Sequence, residues 1–198
     1  DYKVDKFKEK RFRTEANHAD VVAITSLTPQ IHNAFNIAKI AKEQGCITIF
    51  GGYHSTLVPD YVIKRACVDY VIRGEGEHTF KELIDHVNMN RDNKDLKSIK
   101  GLSYKTIDGK VHHNPERPLE PNLDAFPFPR RDLVDYKKYL YLGTRVDLLE
   151  SSRGCPYNCK FCCIRKMWKD PYNHLSYRSK SVKSIMEEIY SIDWKSDF

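Results

Sequence analysis

Short uninterrupted apolar runs alternate along this chain with stretches whose apolar residues recur every three or four positions. The runs are Val21-Val22-Ala23-Ile24-Thr25, Ile47 to Phe50 and Tyr70-Val71-Ile72. Continuous apolar character over so few residues predicts strands covered on both faces. Between the first two, Ile31, Ala34, Phe35, Ala38 and Ala41 keep helical spacing from Gln30 to Gln44, and Gly45 follows as a stop. Pro59 to Ala66 is short and helix-compatible. Glu77 to Val87 sets Phe80, Leu83, Ile84 and Val87 on one helical face. Ahead of the first strand, Lys3 to Asn17 carries Phe7 and Phe12 among charges and predicts an opening helix. Strand–helix alternation of this kind implies an open, parallel α/β sheet with right-handed crossovers.

The pattern changes after Asn88. Gly101 to Thr106 and Lys110-Val111-His112-His113 flank Asp108-Gly109, a strong hairpin signal. Pro115, Pro118, Pro121, Pro127 and Pro129 then punctuate a segment unable to hold long regular structure. The expected division is an α/β domain over 1–114, a proline-rich linker over 115–140 and the beginning of a second domain over 141–198. That second part is expected to hold a strand at Val146 to Leu149, a cysteine loop from Arg153 to Cys163, and a helix from about Ser181 to Ile192.

Charge and composition narrow the function. The 198 residues carry 33 Lys and Arg against 27 Asp and Glu, a net charge of +6. That is mildly basic, and the alternating charges from Lys3 to Arg13 read as a solvated helix face, which makes nucleic acid an unlikely partner. No run of about 18 apolar residues occurs, and Asp1 to Arg13 lacks the apolar stretch of a signal peptide. Neither a membrane span nor secretion is expected.

Four of the six cysteines crowd into Cys155-Pro156-Tyr157-Asn158-Cys159-Lys160-Phe161-Cys162-Cys163. In a chain without an export signal, clustered thiols point to metal ligation rather than disulfides. Three spaced thiols fit a cubane iron–sulfur cluster, which usually takes four cysteines, with one iron left open for a ligand. They also fall within zinc spacing, with His174 as a fourth donor, although zinc knuckles usually pair two CxxC-like turns and this chain has one. Lys160, Arg165, Lys166 and Lys169 favour thiolates. Cys163 reads as a bystander, and Cys46 and Cys67 as core residues.

In the first domain, Thr25-Ser26-Leu27-Thr28, Gly51-Gly52-Tyr53-His54-Ser55-Thr56 and Arg73-Gly74-Glu75-Gly76-Glu77 each follow a strand. They therefore lie at the carboxyl edge, where open α/β sheets bind ligands, and the glycines allow close backbone approach.

The run from Arg153 to Cys162 resembles the cluster loop of the radical S-adenosylmethionine superfamily, and Tyr177 to Val182 is similar to the region that follows it. This resemblance implies that Cys155, Cys159 and Cys162 hold a 4Fe-4S cluster and that the open iron chelates S-adenosylmethionine. It further implies that Phe161 flanks the adenine and that reductive cleavage gives a 5′-deoxyadenosyl radical. The three turns of the first domain resemble the Rossmann-like cobalamin-binding domain that precedes the partial β/α barrel in cobalamin-dependent members. Thr25, Ser26, Leu27, Gly51, Gly52, His54, Thr56, Gly74, Glu75 and Gly76 are then the expected cofactor contacts. The Asp-x-His-x-x-Gly motif is absent, so His54 is expected to shape the pocket without ligating cobalt, and His112 and His113 are expected to be exposed.

The resemblance implies methylation of an unactivated carbon or oxidative cyclisation of a small-molecule substrate, the latter as in the anaerobic magnesium-protoporphyrin IX monomethyl ester cyclase group. An external electron donor such as flavodoxin or ferredoxin and a cytoplasmic, low-oxygen setting are expected with it. Only 36 residues follow Cys162, whereas a β/α barrel needs about 200 or more, so the chain reads as an internal fragment, inactive alone. A zinc-stabilised module binding nucleic acid or protein is the competing expectation.

Overall fold

The structure of the chain is a computed structural model that describes residues 8–88, 95–133, 139–157, 159–168 and 177–192. Five strands form one sheet in chain order: β1 (Val21–Thr25), β2 (Ile47–Gly51), β3 (Tyr70–Ile72), β4 (Leu102–Lys105) and β5 (Val111–His113). The first three run parallel, Thr25 opposite Gly51 and Phe50 opposite Val71. The hairpin then adds two antiparallel strands, Val71 opposite Ser103 and Tyr104 opposite His112. The sheet is therefore mixed: three parallel strands, as expected, extended by the hairpin.

Alternation along the strands divides the core. Phe50 and Val71 face α2 (Ile31–Glu43) and α4 (Pro59–Ile63), packing with Ala34, Phe35, Ala38, Val62 and Ile63. On the opposite face Ile49, Ile72, Leu102 and Tyr104 meet Leu83 of α5 (Glu77–Asn88). Complete burial of side chains such as Phe50 and Leu83 contributes roughly 1.5–3 kcal/mol each. A smaller cluster joins Ala16 of α1 (Glu9–Ala16) to Ala41 and Cys46. Cys46 and Cys67 are buried, as core thiols should be, and burial pushes the Cys46 thiol up.

Several elements depart from the expectation. Gly52–Leu57 forms a short helix, α3, although its sequence has no apolar period to announce one. On α5 Phe80 is exposed, while Thr79 is buried in its place. The Thr79 hydroxyl donates to the Lys100 carbonyl and accepts from Arg117, which turns that side of the helix toward the proline segment. His112 and His113 are half-buried rather than exposed, because β5 pairs into the sheet. His113 Nδ1 lies 2.7 Å from Ser103 Oγ, and His112 packs on Tyr104.

The segment after β5 is fastened to the sheet domain. Asn114 donates to the Leu96 and Ile99 carbonyls, Gly101 N–H donates to the Pro115 carbonyl, and Leu119 and Leu123 are buried. Beyond it β6 (Leu140–Tyr141) and β7 (Thr144–Arg145) make a small antiparallel pair. Val146 to Leu149 is not a strand. Val146 N–H donates to the Tyr139 carbonyl at the end of the β6–β7 pair, but no strand is formed beyond it, where Asp147 is held by Arg131. The strand entering the cysteine loop is instead β8 (Ser152–Gly154), paired antiparallel with β9 (Tyr177–Ser179). Helix α7 (Val182–Ser191) follows, opened by Ser181, whose side chain accepts from Ser184 N–H. No described helix is long and apolar enough to cross a membrane.

Candidate functional site

The carboxyl ends of β1, β2 and β3 bring the three turns together. Gly52 has φ +86°, a left-handed conformation natural to glycine, and a Cβ there would stand 2.4 Å from Thr25 Oγ1. The first two turns are thus packed to backbone distance. His54 N–H donates to the Ser26 carbonyl, and His54 Nδ1 lies 3.1 Å from Thr28 Oγ1. Thr56 Oγ1 donates to the Gly52 carbonyl and accepts from Gly74 N–H, joining the second turn to the third.

Within this cradle Ser26 Oγ, His54 Nε2 and Ser55 Oγ are buried and lack a hydrogen-bond partner among the described residues. Unpaired buried polar atoms are costly, and three in adjacent turns constitute unmet capacity for a polar ligand. Burial, with His32 nearby, lowers the His54 pKa, which favours the neutral ring with one acceptor nitrogen. Thr25 and Leu27 are exposed at the rim, and Gly51 and Gly76 are partly covered. With open space where a Cβ would stand at Gly51 and Gly74, the cradle lets a polar ligand approach the backbone.

Glu75 behaves differently from its neighbours. Only 7% exposed, its carboxylate accepts from both terminal nitrogens of Arg178 at 2.9 and 3.0 Å. It also accepts from Arg153 at 3.0 Å and from Glu120 N–H at 3.0 Å. Burial pushes its pKa up, but hydrogen bonds from Arg178, Arg153 and Glu120 outweigh it and hold the carboxyl below the usual carboxylate range.

Arg153 is the residue of β8 just before Gly154-Cys155, and Arg178 stands directly opposite it on β9. Trp168, closing α6 (Ile164–Met167), lies beneath both guanidinium groups at 5.8 Å and donates its indole N–H to Tyr53 Oη at 3.1 Å. The sheet edge and the cysteine loop are therefore in direct contact. Arg153, Arg178 and Tyr53 lie within the runs singled out from the sequence, but their contacts with Glu75 and Trp168 do not follow from those runs, and Trp168 belongs to none of them.

The loop carries its thiols free. Cys155 and Cys162 are partly covered, and Cys159 and Cys163 are exposed. Cys162 N–H donates to the Cys159 carbonyl, a tight turn, and Cys163 opens α6. Gly154 at φ +84° reverses the chain into the loop. Phe161 is 94% exposed, and Lys160 and Lys166 are exposed beside it. Asn158, Lys169 and His174, and the side chain of Arg165, lie outside what is described. Among the described residues no three His, Cys, Asp or Glu converge as ligands of one ion. A cluster accepting one thiolate per iron makes no such demand, and three free thiols on one reversed loop suit that donor set.

Residues 3–84 match the B12 binding domain. An uncharacterized methyltransferase of Pyrococcus horikoshii is 40% identical over 177 residues, covering 86% of this chain and 36% of its own length. The anaerobic magnesium-protoporphyrin IX monomethyl ester cyclase of Rubrivivax gelatinosus is 34% identical over 175 residues, covering 86% and 30% respectively. The chain thus spans about a third of the length of these relatives. Among solved structures, the cobalamin-dependent S-adenosylmethionine radical enzyme OxsB with aqua-cobalamin bound shares the fold. Its TM-score is 0.74 at 24% identity, over 96% of this chain and 25% of that one. The methyltransferase TsrM of Kitasatospora setae, with cobalamin and a [4Fe-4S] cluster bound, gives 0.64 at 18%, over 96% and 38%. Over residues 3–84 the mixed sheet with its three glycine-bearing turns has the Rossmann-like fold of the B12 binding domain, and the chain is similar in sequence to a methyltransferase and a cyclase and shares its fold with cobalamin-dependent S-adenosylmethionine radical enzymes.

Proposed function

We propose that this chain supplies the cobalamin cradle and the cluster loop of a radical S-adenosylmethionine enzyme that methylates an unactivated carbon or closes a ring oxidatively. The observation that carries this reading is that a glycine cradle with three unpaired buried polar atoms is bonded, through Glu75 to Arg153 and Tyr53 to Trp168, to the residues flanking a loop of three free thiols. When bound, the cluster would supply one electron to the sulfonium of S-adenosylmethionine, and cobalamin a methyl-carrying or electron-relaying centre.

The chain's own residues bind and orient. Cys155, Cys159 and Cys162 offer the thiolates, while Lys160 and Lys166 offset their charge. Phe161, almost wholly exposed, presents a ring face for adenine. Ser26, His54 and Ser55 offer hydrogen bonds to the polar periphery of cobalamin, and Gly51, Gly52, Gly74 and Gly76 allow it to approach. Thr25, Leu27 and Thr56 complete the cradle, Thr56 by tying its turns. An external electron donor of the flavodoxin or ferredoxin type, a small-molecule substrate and a cytoplasmic, low-oxygen setting accompany the reading. A zinc-stabilised binding module is not favoured by relatives that are cyclases and methyltransferases.

The test is anaerobic purification and reconstitution of the full-length protein, with Cys155→Ala in parallel. Iron and acid-labile sulfide near about four per chain, abolished by Cys155→Ala, Cys159→Ala or Cys162→Ala and kept by Cys163→Ala, are expected. Cobalamin uptake should show in the visible spectrum. Zinc without sulfide, or no cobalamin uptake, would overturn the reading.

A further inference from the structure

We infer that Glu75 is a positioning residue that fixes the three-cysteine loop against the cobalamin cradle, so that the two cofactor sites stand at one defined separation. The inference rests on the functional reading above and assigns Glu75 a place in it that no motif gives.

Three observations carry it. First, Arg153 and Arg178 stand directly opposite each other on β8 and β9. Like charges so placed repel across a strand pair. Glu75 accepts three hydrogen bonds from the two; Arg153 also pairs with Glu77 and Glu150, but Glu75 is the carboxylate that accepts from both arginines, and it sits on the third turn of the sheet. Glu120 N–H supplies a fourth bond, so the lone pairs of this buried carboxylate are all used within the chain.

Second, the turn that carries Glu75 is not free to follow the loop. Gly74 N–H is bonded to Thr56 Oγ1, which is bonded to the Gly52 carbonyl in the cradle. Third, a separate contact fixes the far side of the loop, where Trp168 bonds Tyr53, the residue after Gly52. A bidentate guanidinium–carboxylate pair restricts orientation as well as distance. A nonpolar junction of equal volume would often be as stable, so a buried carboxylate bound on both oxygens, against an Arg178 whose Nε has no partner among the described residues, is better explained by the geometry that it imposes. Misplacement of reacting groups by about 1 Å is worth on the order of 10²-fold in rate, which is reason enough for such a device.

The experiment is electron paramagnetic resonance of the full-length protein holding both the one-electron-reduced cluster and cob(II)alamin. Iron, sulfide and cobalamin are quantified in each sample. Two unpaired electrons at a fixed separation give a resolved magnetic splitting. Wild type should show it. Glu75→Ala and Glu75→Gln should retain both cofactors but lose or smear the splitting, and Glu75→Asp should recover part of it. An identical splitting in Glu75→Ala, or none in wild type with both cofactors bound, would overturn the inference. Loss of the cofactors in Glu75→Gln, which changes charge but hardly volume, would make Glu75 a folding residue and overturn it too. Wild-type protein that takes up neither cofactor would overturn the functional reading itself, and the inference with it.

Discussion

At Gly52 two demands coincide, a left-handed backbone and a neighbour inside the reach of a Cβ. Gly109 has the first demand alone, with φ +78° and open space around it. Gly109→Ala should therefore cost about 1–2 kcal/mol, the backbone penalty. Gly52→Ala should cost more, because Thr25 Oγ1 must move, and the excess should shrink in a Thr25→Ala background. Denaturant midpoints of the four variants measure this. His54 offers a second check. Its folded pKa is lowered by burial, so its contribution is complete above the unfolded value of about 6.5 and is lost as pH falls through the folded value. Its ring resonances in a pH titration by nuclear magnetic resonance should shift with a midpoint below 6.5. The glycines and cysteines were legible in the sequence because their chemistry is local. Glu75 was legible only as part of a turn, since its partners lie 78 and 103 residues away.

Among the elements, α7 is anchored by a buried acid. Glu188, 1% exposed, accepts from Arg131 at 2.8 Å and Lys180 at 2.7 Å. Burial raises its pKa, but the hydrogen bonds from Lys180 and Arg131 win and the net shift is downward. Glu188→Gln removes the carboxylate that pairs Lys180 and leaves Arg131 with Asp147 alone, and should cost about 3 kcal/mol at neutral pH. A lowered carboxyl contributes fully above its unfolded pKa, near 4.5, and loses that contribution as pH falls through the folded value. The thermal transitions of wild type and variant should therefore converge on acidification. Strand positions β1 and β3 and helices α2 and α5 followed from hydrophobic period alone. Helix α3 did not, because its contacts are polar and tertiary. Val146 to Leu149 misled for the converse reason: an apolar run becomes a strand only where a ladder receives it.

Among the described residues, the two parts of the chain meet through charge and aromatic faces rather than through a shared apolar core. Arg153 lies over Phe126 at 4.8 Å and over Trp168, while it pairs with Glu75, Glu77 and Glu150. Sequence could announce the fold of the first part and the donor set of the second. The junction, made of residues unremarkable in isolation, could only be seen assembled.

The long separation between Glu75 and Arg178 also has a kinetic meaning. Closing a loop of 103 residues costs about 4 kcal/mol of chain entropy, so this node should form after the folding transition state, once the sheet and the β8–β9 pair exist. Glu75→Gln should then leave the refolding limb of a chevron plot in place and raise the unfolding limb, a φ-value near zero. The lifetime of the face where the glycine cradle and the cysteine loop meet is accordingly governed by how fast four hydrogen bonds let go.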